Sequence, residues 1–146
     1  MSWNAIQGFL NSNGFRLPTE AEWEHACRSG TQTPFYNGST NDATVEALAW
    51  YSPNSGDQSR PVGGKLANAF GFHDMLGNVW EWVNDRHGDY TAESQTNPTG
   101  PESGSTRVIR GGSWGNGSVC QRSSFRVAWW PEDLSNGIGF RVAKTP

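Results

Sequence analysis

The second half of the chain contains four short segments in which apolar and polar residues alternate, and this feature constrains the fold most. The segments are VWEWV (79–83), RVIRGGSW, RSSFRVA and IGFRVA. Alternation with a period of two is typical of β-strands that bury one face. Because the segments are short and turn-rich chain separates them, we expect short antiparallel strands joined by long loops.

A first helix is predicted at the N-terminus. Ser2 can cap a helix that runs through Asn11, and Asn13-Gly14 is a typical stop. Four apolar residues share one face at helical spacing: Trp3, Ile6, Phe9 and Leu10. We therefore expect this face to pack against the core.

A second helix is indicated by stronger signals. Thr19 and Glu22 have the spacing of a capping box, and Gly30 is a typical terminator. Between them, the residues at helical spacing are Trp23, Ala26 and Cys27. Cys27 is thus predicted to be a small core residue.

The composition predicts an irregular, loop-rich domain. Residues 30–68 are rich in Gly, Ser, Asn and Pro, which is typical of a long ordered loop region with one short strand. Eight tryptophans and eighteen glycines suggest that large rings fill space that regular elements leave open. We predict one α+β domain spanning residues 1–146.

Charge and hydropathy argue against several partners. The formal net charge is −3 at pH 7 and Lys and Arg form no runs, so no nucleic acid or anionic membrane partner is expected. No apolar run is long enough for membrane insertion. The first residues have neither the basic start nor the long apolar block of a secretion signal. Localisation stays open between the cytoplasm, a phage particle and display through an N-terminal region.

The two cysteines do not indicate a disulfide framework or a zinc site, because Cys27 and Cys120 are far apart and no CxxC occurs. Cys120 lies in RGGSWGNGSVCQRSSFR, where it could be a reactive thiol or part of a binding surface. A nucleophilic thiol needs a neighbouring base or positive field. No histidine has motif spacing to Cys120, which favours the binding surface.

Four motifs occur in an order that resembles the formylglycine-generating enzyme (sulfatase-modifying factor) family. They are GFRLPTEAEWEHACRSG, GFHDMLGNVWEWVND, RVIRGGSW and IGFRVA. The resemblance implies an elaborated C-type lectin fold that is poor in regular structure. Members of that family usually carry an N-terminal region ahead of the first helix. The resemblance therefore implies either a shortened form or a minimal member, in which a strand edge would be left uncovered.

The oxidase activity of that family rests on two thiolates, five residues apart, that bind copper(I). Counted from Ser113, the matching positions hold Asn116 and Gln121, and Cys120 is one residue away from the second. Neither amide can form a thiolate. The resemblance therefore implies no copper site and no catalytic residues in this chain.

Residues 110–141 are similar to the variable proteins of diversity-generating retroelements, another branch of the same fold. The residues that match fixed positions of that branch are Arg122, Arg126, Pro131 and Gly139-Phe140-Arg141. The residues that match its diversified positions are Gly115, Asn116, Gly117, Val119, Cys120, Phe125, Val127, Ala128, Trp129, Trp130, Asp133, Ser135, Asn136 and Gly137. Undiversified relatives keep the same fixed residues, so the spacing alone does not separate a diversified protein from a fixed one.

The resemblance implies a non-catalytic domain that binds a protein or other macromolecular ligand through this variable-like face. Two rivals are a diverged oxidase and an accessory domain of a larger enzyme. Rigid aromatic area for binding would come from Phe125, Trp129 and Trp130. Adjacent residues of an extended segment point to opposite faces, so at least one of the two tryptophans should be exposed.

Three geometric expectations follow for this segment. Arg122, Arg126 and Arg141 should be tied into the domain by hydrogen bonds or carboxylates. Trp114 and Phe140 should be core residues. One solvent-facing surface should gather the side chains of Asn116, Cys120, Phe125, Trp129, Trp130, Asp133, Ser135 and Asn136.

The same family resemblance implies a calcium site in DMLGNVWEW. Its ligands would be the side chains of Asp74 and Glu81 and the backbone carbonyls of Gly77 and Val79, oxygen ligands of the kind calcium prefers. Alternatively, Glu81 anchors a loop by accepting hydrogen bonds without metal. A second family calcium site is not expected, because Leu48 stands where an Asn ligand would be.

Overall fold

The computed structural model describes residues 1–145, which form helices, a small sheet and long ordered loops. The α-helices are α1 Trp3–Asn13, α2 Glu20–Arg28, α3 Val45–Leu48 and α4 Ser52–Ser55. The strands are β1 Trp80–Arg86, β2 Arg107–Arg110, β3 Arg126–Trp129 and β4 Ile138–Phe140. Two 3₁₀ turns span Asp42–Thr44 and Ser118–Gln121.

Helix α1 begins and ends at the residues that cap it. The Ser2 hydroxyl accepts a hydrogen bond from the Ala5 N–H at 3.3 Å, and Gly14 ends the helix with φ of 65°. The prediction that Phe9 packs into the core is wrong. Phe9 is 49% exposed, because it lies at the margin of the apolar stripe, where its ring meets the edge of Phe140 with centroids 6.0 Å apart.

Helix α2 has the predicted capping box. The Thr19 hydroxyl accepts the Glu22 N–H at 3.2 Å, and the Glu22 carboxylate accepts the Thr19 N–H at 2.8 Å. The helix ends at Ser29, whose φ is 45°, one residue before the predicted glycine. Trp23 and Cys27 are buried, as the helical spacing predicted.

The four strands form one sheet in the order β3-β2-β1-β4. The pairs β1–β2 and β2–β3 are antiparallel, but β1 and β4 are parallel, with Trp80 opposite Ile138. The expectation of a wholly antiparallel sheet is therefore wrong at this one pair. After β3, residues 130–137 cross to the opposite edge of the sheet, so that β4 runs in the same direction as β1.

The side of the sheet that faces α1 is lined by aromatic and aliphatic side chains. Trp80 and Trp82 of β1 and Ile109 of β2 point to this side and pack with Ile6 and Leu10 of α1. All five belong to one buried cluster. We call this the α1 side of the sheet.

The opposite side packs against α2. Val83 and Val108 point there and join a second buried cluster with Trp23 and Cys27. Arg110 of β2 also lies on this side with its side chain fully buried. We call this the α2 side of the sheet.

Residues 30–68 contain more helix than predicted. The short helices α3 and α4 lie in this region, and the predicted short strand is represented by a single parallel bridge between Trp50 and Gly77. A side chain at Gly77 would come within 2.4 Å of the Trp50 carbonyl, so the bridge requires glycine there. Among residues 1–145, no helix has the length and apolar character needed to cross a membrane.

Candidate binding surface

Two of the arginines expected to form the frame are held by paired hydrogen bonds to carboxylates. Arg126 donates to both oxygens of Glu20 at 2.8 and 2.7 Å and to the Gly88 carbonyl at 2.7 Å. Arg141 donates to both oxygens of Glu81 at 2.6 and 2.7 Å. Both carboxylates are buried, so these contacts fix the start of β3 and the end of β4 to the domain.

Arg122 is held much more weakly than expected. Its only carboxylate contact among residues 1–145 is with Asp42, at 3.4 Å, and both side chains are about two-fifths exposed, at 41% and 42%. The Nε atom of Arg122 is buried without a hydrogen-bond partner in this part of the chain. An exposed pair of this kind contributes little to stability.

The prediction that Trp114 and Phe140 are core residues is wrong for both, because each is only half-buried. The backbone of Trp114 is well fixed, since its N–H donates to Asn78 at 2.8 Å and its carbonyl accepts the Ser55 hydroxyl at 2.9 Å. Phe140 lies in an edge strand and is covered partly by the exposed ring of Phe9.

Strand β3 divides its side chains between the two sides of the sheet. Val127 and Trp129 point to the α1 side and pack, with Phe125, against its buried cluster. The Phe125 and Trp80 rings are tilted by 37° with centroids 6.1 Å apart. Trp130 is 51% exposed, as strand alternation predicted for one of the two adjacent tryptophans.

Trp80, whose ring lies beside Phe125, also contacts residues 135–137 through its backbone. The Trp80 N–H donates to the Gly137 carbonyl at 2.8 Å, and the Gly137 N–H donates to the Ser135 hydroxyl at 3.1 Å. Two separate parts of the variable-like segment therefore meet beside Trp80. This brings Phe125 and Ser135 to the same neighbourhood.

Exposure differs among the fourteen variable-like positions. Those that are exposed are Gly115, Gly117, Val119, Ala128, Trp130, Asp133 and Asn136. Those that are half-buried are Asn116, Cys120, Phe125, Val127, Trp129 and Ser135, and Gly137 is buried. Ala128 faces away from Val127 and Trp129, so these positions do not all share one side of the sheet. That they bind a ligand stays a prediction.

Amides hold the turn in which a copper site would require thiolates. The Asn116 side-chain oxygen accepts hydrogen bonds from the Ser113 N–H at 3.1 Å and from the Ser113 hydroxyl at 2.7 Å. Gln121 is fully buried and donates to the Ser113 carbonyl at 3.3 Å. The turn is closed by these hydrogen bonds, and the one that Gln121 donates could not come from a thiolate.

The two thiols lie in environments that disfavour the reactive thiolate. Cys27 is buried with its sulfur 3.5 Å from the Ser123 hydroxyl, and burial raises its pKa to about 12. Cys120 is half-buried on the α1 side, and desolvation raises its pKa as well. A thiol with a raised pKa is a poor nucleophile near neutral pH.

The four proposed calcium ligands, Asp74, Gly77, Val79 and Glu81, line one cavity of about 390 Å³. One Asp74 oxygen accepts the Gly63 N–H at 2.7 Å, and the other is buried with no hydrogen-bond partner among residues 1–145. An orphaned carboxylate oxygen of this kind suits a cation.

Glu81 fits the metal less well than Asp74 does. Both of its oxygens are bound by Arg141, and one also accepts the Trp23 indole N–H at 2.7 Å. These contacts match the alternative in which Glu81 anchors the structure without metal. No group of three or more acidic, His or Cys side chains in the described part of the chain is arranged to hold a metal ion.

A larger cavity of about 630 Å³, which the sequence did not indicate, lies between α2 and residues 88–101. It borders β3 at Ser124 and Arg126. Its acidic lining residues are Glu20, Glu24, Asp85, Asp89 and Glu93. We call it the acidic cavity. These carboxylates are spread over seventy residues of sequence, so no local motif signals them.

The wall of the acidic cavity is organised by Arg126. Its guanidinium lies 4.3 Å from the ring centre of Tyr90, and the Tyr90 hydroxyl donates to Glu20 at 3.0 Å. Although the residue is 68% exposed, desolvation of its hydroxyl beside Glu20, followed by the charge of Glu20, raises the pKa of Tyr90 to about 12. Burial also raises the pKa of Asp85, which accepts the Glu20 N–H at 2.7 Å.

Taken together, two capped helices, a small mixed sheet and long ordered loops define an elaborated C-type lectin fold. The whole chain, residues 1–146, matches the family described as "Sulfatase-modifying factor enzyme 1-like domain". The chain belongs to this family. The formylglycine-generating enzyme of Bos taurus is 35% identical over 158 residues, which cover 98% of this chain and 42% of the relative.

Solved structures show the same fold. Treponema denticola variable protein 1 superposes with a TM-score of 0.85 and 40% identity, covering 90% of this chain and 48% of that protein. PvdO from Pseudomonas aeruginosa superposes with a TM-score of 0.84 and 31% identity, covering 97% of this chain and 59% of that one. The chain thus spans about half the length of the relatives it matches.

Proposed function

We propose that this chain is a non-catalytic ligand-binding domain of the variable-protein type, which presents residues 110–141 to a macromolecular ligand. The observation that carries the proposal is the arrangement around β3. Aromatic side chains are left partly or largely exposed at the end of β3 and directly beside both its ends, and the first residue of this strand, Arg126, is fixed by a buried carboxylate. The likeness to a protein named as a variable protein supports the same conclusion.

A fixed frame with exposed rings suits binding for a physical reason. Aromatic residues supply a large contact area at a small cost in side-chain entropy, and they are enriched among the residues that dominate interface energies. Phe125 and Trp129 are held in place by packing on the α1 side, while Trp130 is free to enter a partner. A partner that covers Phe125 and Trp129 would bury apolar area at a small cost in side-chain entropy, because packing already fixes these two rings.

Panning a random twelve-residue peptide library displayed on phage against the protein tests this proposal. We expect selected peptides to lose at least tenfold in affinity on Trp130→Ser. The matched control is Phe70→Ser, because Phe70 is 52% exposed and lies outside the variable-like segment, with its ring 5.7 Å from that of His25. Equal losses on the two variants, or no loss on Trp130→Ser, would contradict the proposal.

The diversified character of the segment has its own test in the neighbouring DNA. We expect a second copy of the sequence that encodes residues 110–141, differing mainly at adenines, together with a gene for a reverse transcriptase. A segment without such a copy would make this a fixed binding domain of the same fold.

The rival function, a diverged oxidase, requires a reactive thiol. With copper(I) supplied, we expect no conversion of a sulfatase-type cysteine peptide to formylglycine, because Asn116 and Gln121 stand at the two thiolate positions. Turnover that disappears in Cys120→Ser would instead make the single thiol catalytic. Mass spectrometry of the peptide measures both outcomes.

We also propose that calcium binds the side chain of Asp74 and the carbonyls of Gly77 and Val79. Glu81 would be the fourth ligand, and it would share its carboxylate oxygens with Arg141. When bound, the ion would supply structural crosslinking of this loop.

A ligand that binds only the folded state stabilises it by about 2.7 kcal/mol at a hundred times its Kd. The melting temperature should therefore rise in millimolar calcium, and this rise should disappear in Asp74→Ala but persist in Asp89→Asn. An unchanged melting temperature after calcium and after EDTA would leave Glu81 as a loop anchor only.

A further inference from the structure

Strand β3 lies at one edge of the sheet, with β2 on one side and no strand on the other. Among residues 1–145, the backbone groups of Arg126–Trp129 make no backbone hydrogen bond outside the ladder with β2. The edge is therefore open along the middle of the variable-like segment.

The other edge of the sheet differs. Beyond β4, Ala143 exchanges two backbone hydrogen bonds with Arg16, at 2.9 and 2.8 Å. The chain that continues β4 is thus already paired with another segment of the same protein. Of the two edges, β3 is the one that residues 1–145 leave unpaired.

The unpaired backbone N–H and C=O groups of an edge strand determine which ligand can pair with it. On an edge strand, alternate residues point their N–H and C=O groups outward, so two of the four residues of β3 offer both groups. These pairs repeat at about 6.8 Å, the spacing of two residues in an extended chain. A second extended polypeptide presents matching donors and acceptors at that spacing.

The two sides of β3 differ in the side chains they would accept from such a partner. On the α1 side, Phe125, Val127 and Trp129 form an apolar surface. On the α2 side, Arg126 borders the acidic cavity, where Asp89 and Glu93 form no salt bridge within residues 1–145.

We propose that the ligand is an extended polypeptide segment that adds to the outer edge of β3 as a fifth strand, with apolar and basic residues in alternation. Its apolar side chains would cover Val127 and Trp129, and its basic side chains would face the acidic cavity. The inference rests on the proposed function, since it names the kind of partner that the variable-like face takes.

The probe is a blocked eight-residue peptide in which Val alternates with Lys, measured by titration and by amide hydrogen exchange. We expect at least tenfold protection of two alternate amides within Arg126–Trp129 when the peptide is bound. A peptide with Glu in place of Lys should bind at least tenfold more weakly. N-methylation of alternate peptide residues removes every second N–H donor. Binding should be lost when the methylated residues are those whose N–H groups face β3, and should be unchanged when they are the residues in between.

Variants of the protein test whether the carboxylates of the acidic cavity contribute to peptide binding. Asp89→Asn combined with Glu93→Gln should weaken the Val–Lys peptide severalfold, while Glu102→Gln, an exposed carboxylate outside the lining of the cavity, should not. Both carboxylates of the double variant are exposed, so the change leaves folding intact.

The outcomes also separate this inference from the function on which it rests. Failure of the Val–Lys peptide to bind, or binding without protection of β3 amides, overturns the added strand. If library-selected peptides still lose affinity on Trp130→Ser in that case, the binding domain stands and only the strand pairing is wrong. If neither the Val–Lys peptide nor any selected peptide depends on this face, both proposals fail.

Discussion

The two sides of the sheet are built from different chemistry, although they share the same strands. On the α2 side, the fully buried guanidinium of Arg110 pairs with Glu20 and Glu24, and Glu20 also binds Arg126. On the α1 side, the contacts are between rings, such as Phe125 with Trp80. The buried ion pairs that tie β2 and β3 to α2 therefore lie on one side, and the partly exposed rings lie on the other, although the variable-like residue Ala128 faces the α2 side.

Buried charges and exposed rings respond differently to substitution. A buried ion pair has one workable geometry, because loss of either partner leaves a desolvated charge. A half-buried ring contributes mainly area, so another apolar residue can replace it at a modest cost. The fixed arginine, Arg126, and the variable-like residues Val127 and Trp129 follow this division along a single strand.

The largest expected effect is on the α2 side. Glu20→Ala removes the carboxylate shared by Arg110 and Arg126, and we expect it to lower the free energy of unfolding by about 3–5 kcal/mol. Urea denaturation followed by tryptophan fluorescence measures this change.

Glu22→Gln is the matched control, since it lies on the same helix in an exposed pair with Arg16. We expect it to cost no more than about 1 kcal/mol. A Glu20→Ala protein as stable as Glu22→Gln would show that the buried network does not hold the frame.

The second expected effect is a difference in stability between variants of the two adjacent tryptophans, Trp129 and Trp130. Trp129→Ala removes a ring that packs on the buried cluster, and we expect a loss of about 1–2 kcal/mol, less than for a fully buried aromatic residue. Trp130→Ala should change stability by no more than about 0.5 kcal/mol, because half of its surface is exposed. Equal costs in denaturant titration would mean that both rings are structural.

Local sequence signals predicted α1 and α2 well, missed the short helices α3 and α4, and predicted the sheet only in part. The capping box of Thr19 and Glu22 and the glycine stop at Gly14 depend on residues close in sequence, so the pattern contains them. The parallel pairing of β1 with β4 depends on where the chain crosses after β3. Alternation within a strand does not encode that path.

The candidate surface shows the same limit. Alternation correctly predicted that at least one of the two adjacent tryptophans would be exposed, and that residue is Trp130. The expectation that Trp114 and Phe140 are core residues rested on their place at the end of family motifs, and it is wrong. Their burial depends on how many neighbours reach them at the margin of the sheet. The acidic cavity was missed entirely, since it joins carboxylates from α2, β1 and the loop after β1.

The smallest expected effect is a pH dependence on the α2 side. Asp85 is buried, and the desolvation of its carboxylate raises its pKa above the unfolded value, with the charge of Glu20 adding to the rise. Raising the pKa of an acid means that its neutral form is favoured in the folded state. The stability that Asp85 contributes is therefore fully present below its unfolded pKa and is lost as the pH rises through its folded pKa.

Asp85→Asn keeps an oxygen that can accept the Glu20 N–H and removes the titration. We therefore expect the variant to gain stability relative to the parent as the pH rises from about 4, near the unfolded pKa of an aspartate, to 7. Thermal unfolding of both proteins across this range measures the difference. Asp89→Asn is the control, because it makes the same substitution at an exposed aspartate in the loop after β1. A variant that loses stability relative to the parent with rising pH would mean that the Asp85 charge is favoured by its surroundings, and that the α2 side stabilises this carboxylate as it does Glu20.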